Sequence, residues 1–166
     1  MKRILFALTL ALSLIAQSAQ AGAMSDYLEN NLIDFLVRGQ AFTPPATVYY
    51  ALATTTGSDA ACGTEVSGGS YARVAVASSL ANWAGTQSAG STTASSGTSG
   101  TTSNNATITF PAPTANWGQV TEYCVFDAST SGNLLWRTAL TTPKTINNGD
   151  SAPSFAPGAS TLQIDN

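Results

Sequence analysis

The stretch Gln119-Val120-Thr121-Glu122-Tyr123-Cys124-Val125-Phe126-Asp127, followed across Ala128-Ser129-Thr130-Ser131-Gly132-Asn133 by Leu134-Leu135-Trp136-Arg137-Thr138-Ala139-Leu140, decides the fold class. Alternation puts Val120, Glu122, Cys124 and Phe126 on one face and Tyr123 and Val125 on the other. Period-two alternation of β-branched and aromatic residues is the pattern of a partly buried strand. Two such runs joined by a short polar, Gly-containing segment predict an antiparallel hairpin.

Outward from this hairpin the same grammar repeats. Thr47-Val48-Tyr49-Tyr50-Ala51-Leu52-Ala53 follows Thr43-Pro44-Pro45, and Tyr71-Ala72-Arg73-Val74-Ala75-Val76-Ala77 follows the turn-rich Ser67-Gly68-Gly69-Ser70. Ala106-Thr107-Ile108-Thr109-Phe110 stops at Pro111, and Thr161-Leu162-Gln163-Ile164 alternates like an outer strand. Asn147-Asn148-Gly149-Asp150 is a tight-turn signal, predicted to join Lys144-Thr145-Ile146 to a strand near Ser154-Phe155. Many short strands punctuated by turns predict a mainly β fold, an antiparallel β-sandwich with one N-terminal α-helix.

The helix is expected over about 25–38. Tyr27, Leu28, Leu32, Ile33, Phe35 and Leu36 lie along one side at helical spacing, Ser25 is a suitable N-cap, and Gly39 is placed to end the helix. Asp26 and Glu29 suit the positive end of the helix dipole and Arg38 the negative end. This stripe either packs on the domain's own sheet or inserts into a neighbouring subunit. Residues 85–105 are almost wholly Ser, Thr, Gly and Ala and hold no charge, so they are expected as a long loop that buries too little to offset its ordering entropy.

Met1-Lys2-Arg3, the apolar run Ile4 to Ala16 and Ala19-Gln20-Ala21 are the three parts of a secretory signal peptide, with cleavage expected after Ala21 and a single domain over 22–166. The other reading is translation from Met24. The apolar run is too short to span a bilayer, and no later segment is long enough, so no membrane span is expected after cleavage. Cleavage leaves four basic residues (Arg38, Arg73, Arg137, Lys144) against nine acidic ones, a net charge of −5. With so few and scattered cations, nucleic acid is excluded as a partner. In an exported chain Cys62 and Cys124 most simply form one disulfide; two buried thiols or pairing between subunits are the alternatives.

Charged residues make up 9% of the chain against a usual ~25%, and there is no histidine. That removes the commonest general base and most zinc sites. No P-loop, dinucleotide fingerprint or G-x-S-x-G is present, and Gly68-Gly69-Ser70 reads as a turn. Glu122 and Asp127 point to opposite faces of their strand, leaving Glu65 to meet one of them across a cleft if a glycosidase-like pair exists. No enzyme, cofactor or metal is expected. The candidate contact residues are therefore the helix side chains Tyr27, Leu28, Leu32, Phe35 and Leu36 and the aromatics Tyr49, Trp83 and Trp117, with Tyr50 and Trp136 read as core or contact.

Several stretches resemble a family of small phage virion proteins, the tail fibre or minor tail proteins. They are Ser25-Asp26-Tyr27-Leu28-Glu29-Asn30, Thr43 to Tyr49, Gly63 to Arg73, Ile108-Thr109-Phe110-Pro111, Asn116-Trp117-Gly118, Phe126-Asp127-Ala128, Gly132-Asn133-Leu134-Leu135 and Leu140 to Asp150. They run in order over most of the chain from Met24 onward. The resemblance implies a structural protein that assembles by subunit contacts without a catalytic site. The leader, the cysteine pair and the expanded Ser/Thr/Gly loop depart from that pattern. Together they suggest such a module moved to an oxidising, extracytoplasmic setting: secreted, or on a virion. The expected function is an exported structural subunit of a filament, surface or particle, with self-association or other virion or surface proteins as partners. The competing expectation is a secreted glycan-binding module that stacks sugars on exposed aromatics.

Overall fold

The computed structural model describes residues 23–85, 91–96 and 100–164. The expected leader, 1–21, lies outside them, as does part of the expected 85–105 loop. In chain order the elements are β1 (Ala23–Met24), α1 (Asp26–Val37), β2 (Thr47–Ala53), β3 (Val74–Ala77), β4 (Thr101–Ser103), β5 (Ile108–Thr109), β6 (Gly118–Phe126), β7 (Leu134–Ile146), β8 (Ser154–Phe155) and β9 (Thr161–Gln163). The fold is mainly β, with antiparallel sheets and a single helix near the N-terminus, as the alternation predicts.

The main sheet has the order β1-β7-β6-β2-β3, with the β6–β7 hairpin at its centre. Two short ladders, β4–β9 and β5–β8, cover one face. Ile108, Phe110 and Leu162 from that layer share a buried cluster with Tyr50, Leu52, Tyr123, Val125 and Leu135 of the sheet. Aromatic rings knit the layers together: Tyr50 stacks with Tyr123 at 5.7 Å, and Phe155 lies 4.9 Å from Tyr123. The Tyr50 hydroxyl shares a hydrogen bond with Ser160 (2.7 Å), and the Tyr123 hydroxyl donates to the Thr161 carbonyl (3.1 Å), so both phenols find partners inside the core.

The opposite face of β6 is also buried. Ala51, Cys124, Phe126 and Leu134 form a second cluster, with Tyr49 and Cys62 packed against it. Strict alternation would put Val120 in this cluster with Glu122, yet Val120 belongs to the main core with Tyr123 and Val125. The cause is a register slip: Val120 pairs with Lys144, but Glu122 pairs with Ala139. The residues from Leu140 to Pro143 bulge out opposite Thr121, because Pro143 has no N–H to give the ladder. An irregularity of this kind moves every preceding side chain to the other face.

Three further expectations need correction. Lys144-Thr145-Ile146 does not form a hairpin with Ser154-Phe155; it continues β7 and pairs with Gly118-Gln119-Val120, while β8 pairs with β5. The turn itself is present, with the Asp150 carboxylate accepting from the Asn147 amide at 2.8 Å. The run 71–77 is strand only from Val74, because Tyr71 and Arg73 turn their polar ends to Glu65. The expected loop ends early: Thr101–Ser103 form β4, and the fully buried Asn104 accepts from the Ser160 amide (2.9 Å) and donates to the carbonyls of Ala106 and Ala156 (2.8 Å each). A buried amide side chain with three backbone partners orders a polar segment that has little apolar area to bury.

Candidate interaction surface

The reactive groups come first, since their placement decides what chemistry remains. Glu122 is fully buried, and its carboxylate accepts from the amides of Gly57 (3.1 Å) and Gly63 (3.3 Å). Arg137 stands 3.5 Å from Glu122 and bridges outward to Asp59 at 3.1 Å. Glu65 is held separately by Arg73 at 2.7 Å and by the Tyr71 hydroxyl at 2.9 Å. Arg73 also lies 3.6 Å over the Phe126 ring. Asp127 accepts from both the backbone and the side chain of Asn133 at 2.7 Å, closing the hairpin turn. Each of the three carboxylates is thus bonded to its own set of donors, and the paired arrangement considered for Glu65 does not form with either of the others.

Cys62 and Cys124 are joined as a disulfide, with Cα atoms 6.0 Å apart. Their sulfurs and a Glu122 oxygen lie within 4.8 Å of one another, a spacing suited to a metal, but bonded sulfurs offer no thiolate and the carboxylate is already occupied. The disulfide, Glu122 and the Arg137–Asp59 pair together pin the segment 54–64 over the second face of β6. Burial raises the pKa of Tyr50, Tyr71 and Tyr123 above the ordinary tyrosine value, so all three are neutral hydroxyls.

The aromatic candidates divide. Trp117 is buried, its indole N–H donating to Gly69 (3.0 Å) and its ring edge-on to Tyr71 at 5.3 Å. Trp83 is half-buried, stacks on Tyr50 at 6.1 Å and donates to the Ala77 carbonyl (3.1 Å). Tyr49 packs beside Cys62 on the second cluster. Leu28 is core, so it and Trp117 are corrected from candidate contacts to packing residues. Alternation and helical spacing mark which residues are apolar, but not which apolar residues the second layer covers.

What stays outside is the far half of the helix. Ser25 caps α1, accepting from the Leu28 amide (3.3 Å), while its own amide donates to the Leu135 carbonyl (2.9 Å) and its hydroxyl to the Leu134 carbonyl. These bonds hold the first turn against β7. From there the helix leaves the body: Leu28 is buried and Leu32 half-buried, yet Ile33 and Phe35 are each about half exposed, Leu36 is 72% exposed and Val37 78%. Tyr27 is also exposed. The expected packing of the whole stripe on the domain's own sheet therefore holds only for its first half. Gly39 at φ 68° then turns the chain, with the amides of Arg38 and Gln40 both donating to Asp34 (3.1 Å).

Beside the helix lies a cavity of about 320 Å³, walled by Leu32, Phe42, Pro45, Trp83, Trp136 and Ile164 and by no charged side chain. The Trp136 indole N–H in that wall has no hydrogen-bond partner among the described residues. A strand-dominated body with an apolar, exposed helix end presents the kind of patch that a second surface can cover. The chain belongs to the family of the podophage GP4 fiber I protein gp80, whose family model matches residues 23–163. This is a family of phage fibre proteins, and membership supports a virion structural role. No curated protein sequence matches the chain.

Proposed function

We propose that this chain is a non-enzymatic structural subunit that associates with copies of itself or with other virion or surface proteins, and that it is exported as one domain after removal of 1–21. The observation that carries the reading is the unpartnered end of α1, where Ile33, Phe35, Leu36 and Val37 stand in water. Exposing that much clustered apolar area is unfavourable for an isolated subunit and is relieved when a second surface covers it. Family membership supports the virion role, and the disulfide supports an oxidising destination. Among the described residues no helix is long and apolar enough to cross a membrane. No observation favours the glycan-binding reading, since Trp117 is buried and the half-buried Trp83 stacks on Tyr50.

The test is to express the full chain with its leader, read the mass of the purified product, and measure its size by light scattering and negative-stain microscopy. A product beginning at Gly22 that forms oligomers or filaments is expected. A product that stays monomeric at high concentration overturns the assembly reading, and one that keeps its first residues overturns export.

A further inference from the structure

We infer that Glu122 shields the Cys62–Cys124 bond, so that small thiols reduce it only slowly while the chain is folded. The two sulfurs differ in access. Cys62 is half-buried and lines an open hollow with Thr56, Gly57 and Thr64, whereas Cys124 is fully buried and takes no part in that lining. A thiolate arriving from solvent therefore attacks the Cys62 sulfur. The S–S bond breaks and its electron pair leaves on the Cys124 sulfur as a thiolate. A second thiolate then displaces the Cys62 sulfur from the mixed disulfide, and the two attacking thiols end oxidised as a disulfide of their own. The leaving sulfur is the one that Glu122 confronts: Oε1 lies 3.3 Å from Cys124 Sγ, and with the bond intact no S–H stands between them.

The carboxylate is held in that position. Oε1 accepts from the amides of Gly57 (3.2 Å) and Gly63 (3.3 Å), while Oε2 accepts from Gly57 (3.1 Å) and has Arg137 3.5 Å away. Arg137 thus stands at the other oxygen, and it shares its charge with Asp59 at 3.1 Å. A thiolate expelled into this buried site meets a fixed like charge, and a poorer leaving group departs more slowly. The residue that anchors the 54–64 segment through its amides therefore also guards the covalent bond beside it.

The experiment follows reduction of the full chain by dithiothreitol in a urea series below the unfolding transition, with free thiols blocked by iodoacetamide and counted by mass. Reduction through global unfolding rises with urea along the unfolding slope, whereas direct attack on the folded bond is nearly independent of urea, so the two routes separate. By the direct route Glu122→Gln is expected to react about tenfold faster than the unaltered chain, with 2-mercaptoethanol adducts trapped on Cys62. Arg137→Gln removes the balancing cation and is expected to react more slowly by that route, although the fold is weakened. Ile108→Ala, a truncation of the core in β5, is expected to accelerate only the urea-dependent route. An unchanged direct rate in Glu122→Gln, an adduct on Cys124, or equal acceleration of the direct route by Ile108→Ala would overturn the inference. Should Glu122→Gln fail to fold, Arg137→Gln decides: a slower direct rate upholds the shielding, and an equal or faster one overturns it.

Discussion

Removing the disulfide by the double substitution Cys62→Ala, Cys124→Ala isolates a stabilisation that acts through the unfolded chain. The bond closes a loop of sequence separation 62, for which the chain-entropy relation gives about 4 kcal/mol at 25 °C. In the folded state little should change. Glu122 still holds the Gly57 and Gly63 amides, and Asp59 still meets Arg137, so segment 54–64 keeps its other anchors. The loss should therefore appear as a lower midpoint together with a steeper denaturant dependence, because the uncrosslinked chain unfolds to a more expanded ensemble. For a domain of this size, about 4 kcal/mol corresponds to a fall in Tm of about 8–16 °C. Urea unfolding followed by the fluorescence of Trp83, Trp117 and Trp136 reads both quantities, and the untouched chain in a thiol reductant should match the double variant. A loss below about 1 kcal/mol, with the native signal unchanged, would show that the loop is already closed in the unfolded chain and would refute the entropic account.

Three other outcomes follow from the same geometry. Tyr50 and Tyr123 stay protonated in the fold while an unfolded tyrosine ionises near pH 10, so above that pH the unfolded chain holds fewer protons and stability falls as pH rises. Tyr50 alone should bring the slope toward about 1.4 kcal/mol per pH unit, with Tyr123 and the less buried Tyr71 adding to it; a flat stability profile between pH 9.5 and 11.5 would contradict their burial. Gly63→Ala would put a Cβ atom 1.7 Å from the Thr55 carbonyl oxygen, so it should destabilise by about 2–3 kcal/mol in a thermal melt, whereas Gly39→Ala meets no neighbour and suffers only backbone strain. Glu122→Gln replaces an acceptor with a donor facing one of two backbone amides, and should cost about 2–3 kcal/mol with hydrogen exchange accelerated at Gly57 and Gly63.

Much of the fold was legible because its signals are local. The N-cap at Ser25, the turn at Gly39, the strand 47–53 and the hairpin across 128–133 each rest on residues close in sequence, and each is found. The candidate surface was half legible. Helical spacing identifies the apolar stripe, but nothing local to α1 says that Leu28 meets the core and Leu36 does not, since that depends on bonds from Ser25 to β7 more than a hundred residues away. The tryptophans show the same limit. Trp117 sits in a turn-like segment that reads as surface, and Gly69 and Tyr71, distant in sequence, enclose it.

By itself the sequence determined the class: strands in quantity, one capped helix, no histidine and few charges. Those properties are sums over residues or patterns of a few neighbours, so no partner is needed to read them. Only the tertiary structure decided that Pro143 shifts the register of the central hairpin, that Glu122 is a buried anchor for Gly57 and Gly63, and that the helix ends in water beside an apolar groove. Each of these depends on which distant segments share a face, and alternation along a strand is the same whichever neighbour the strand takes.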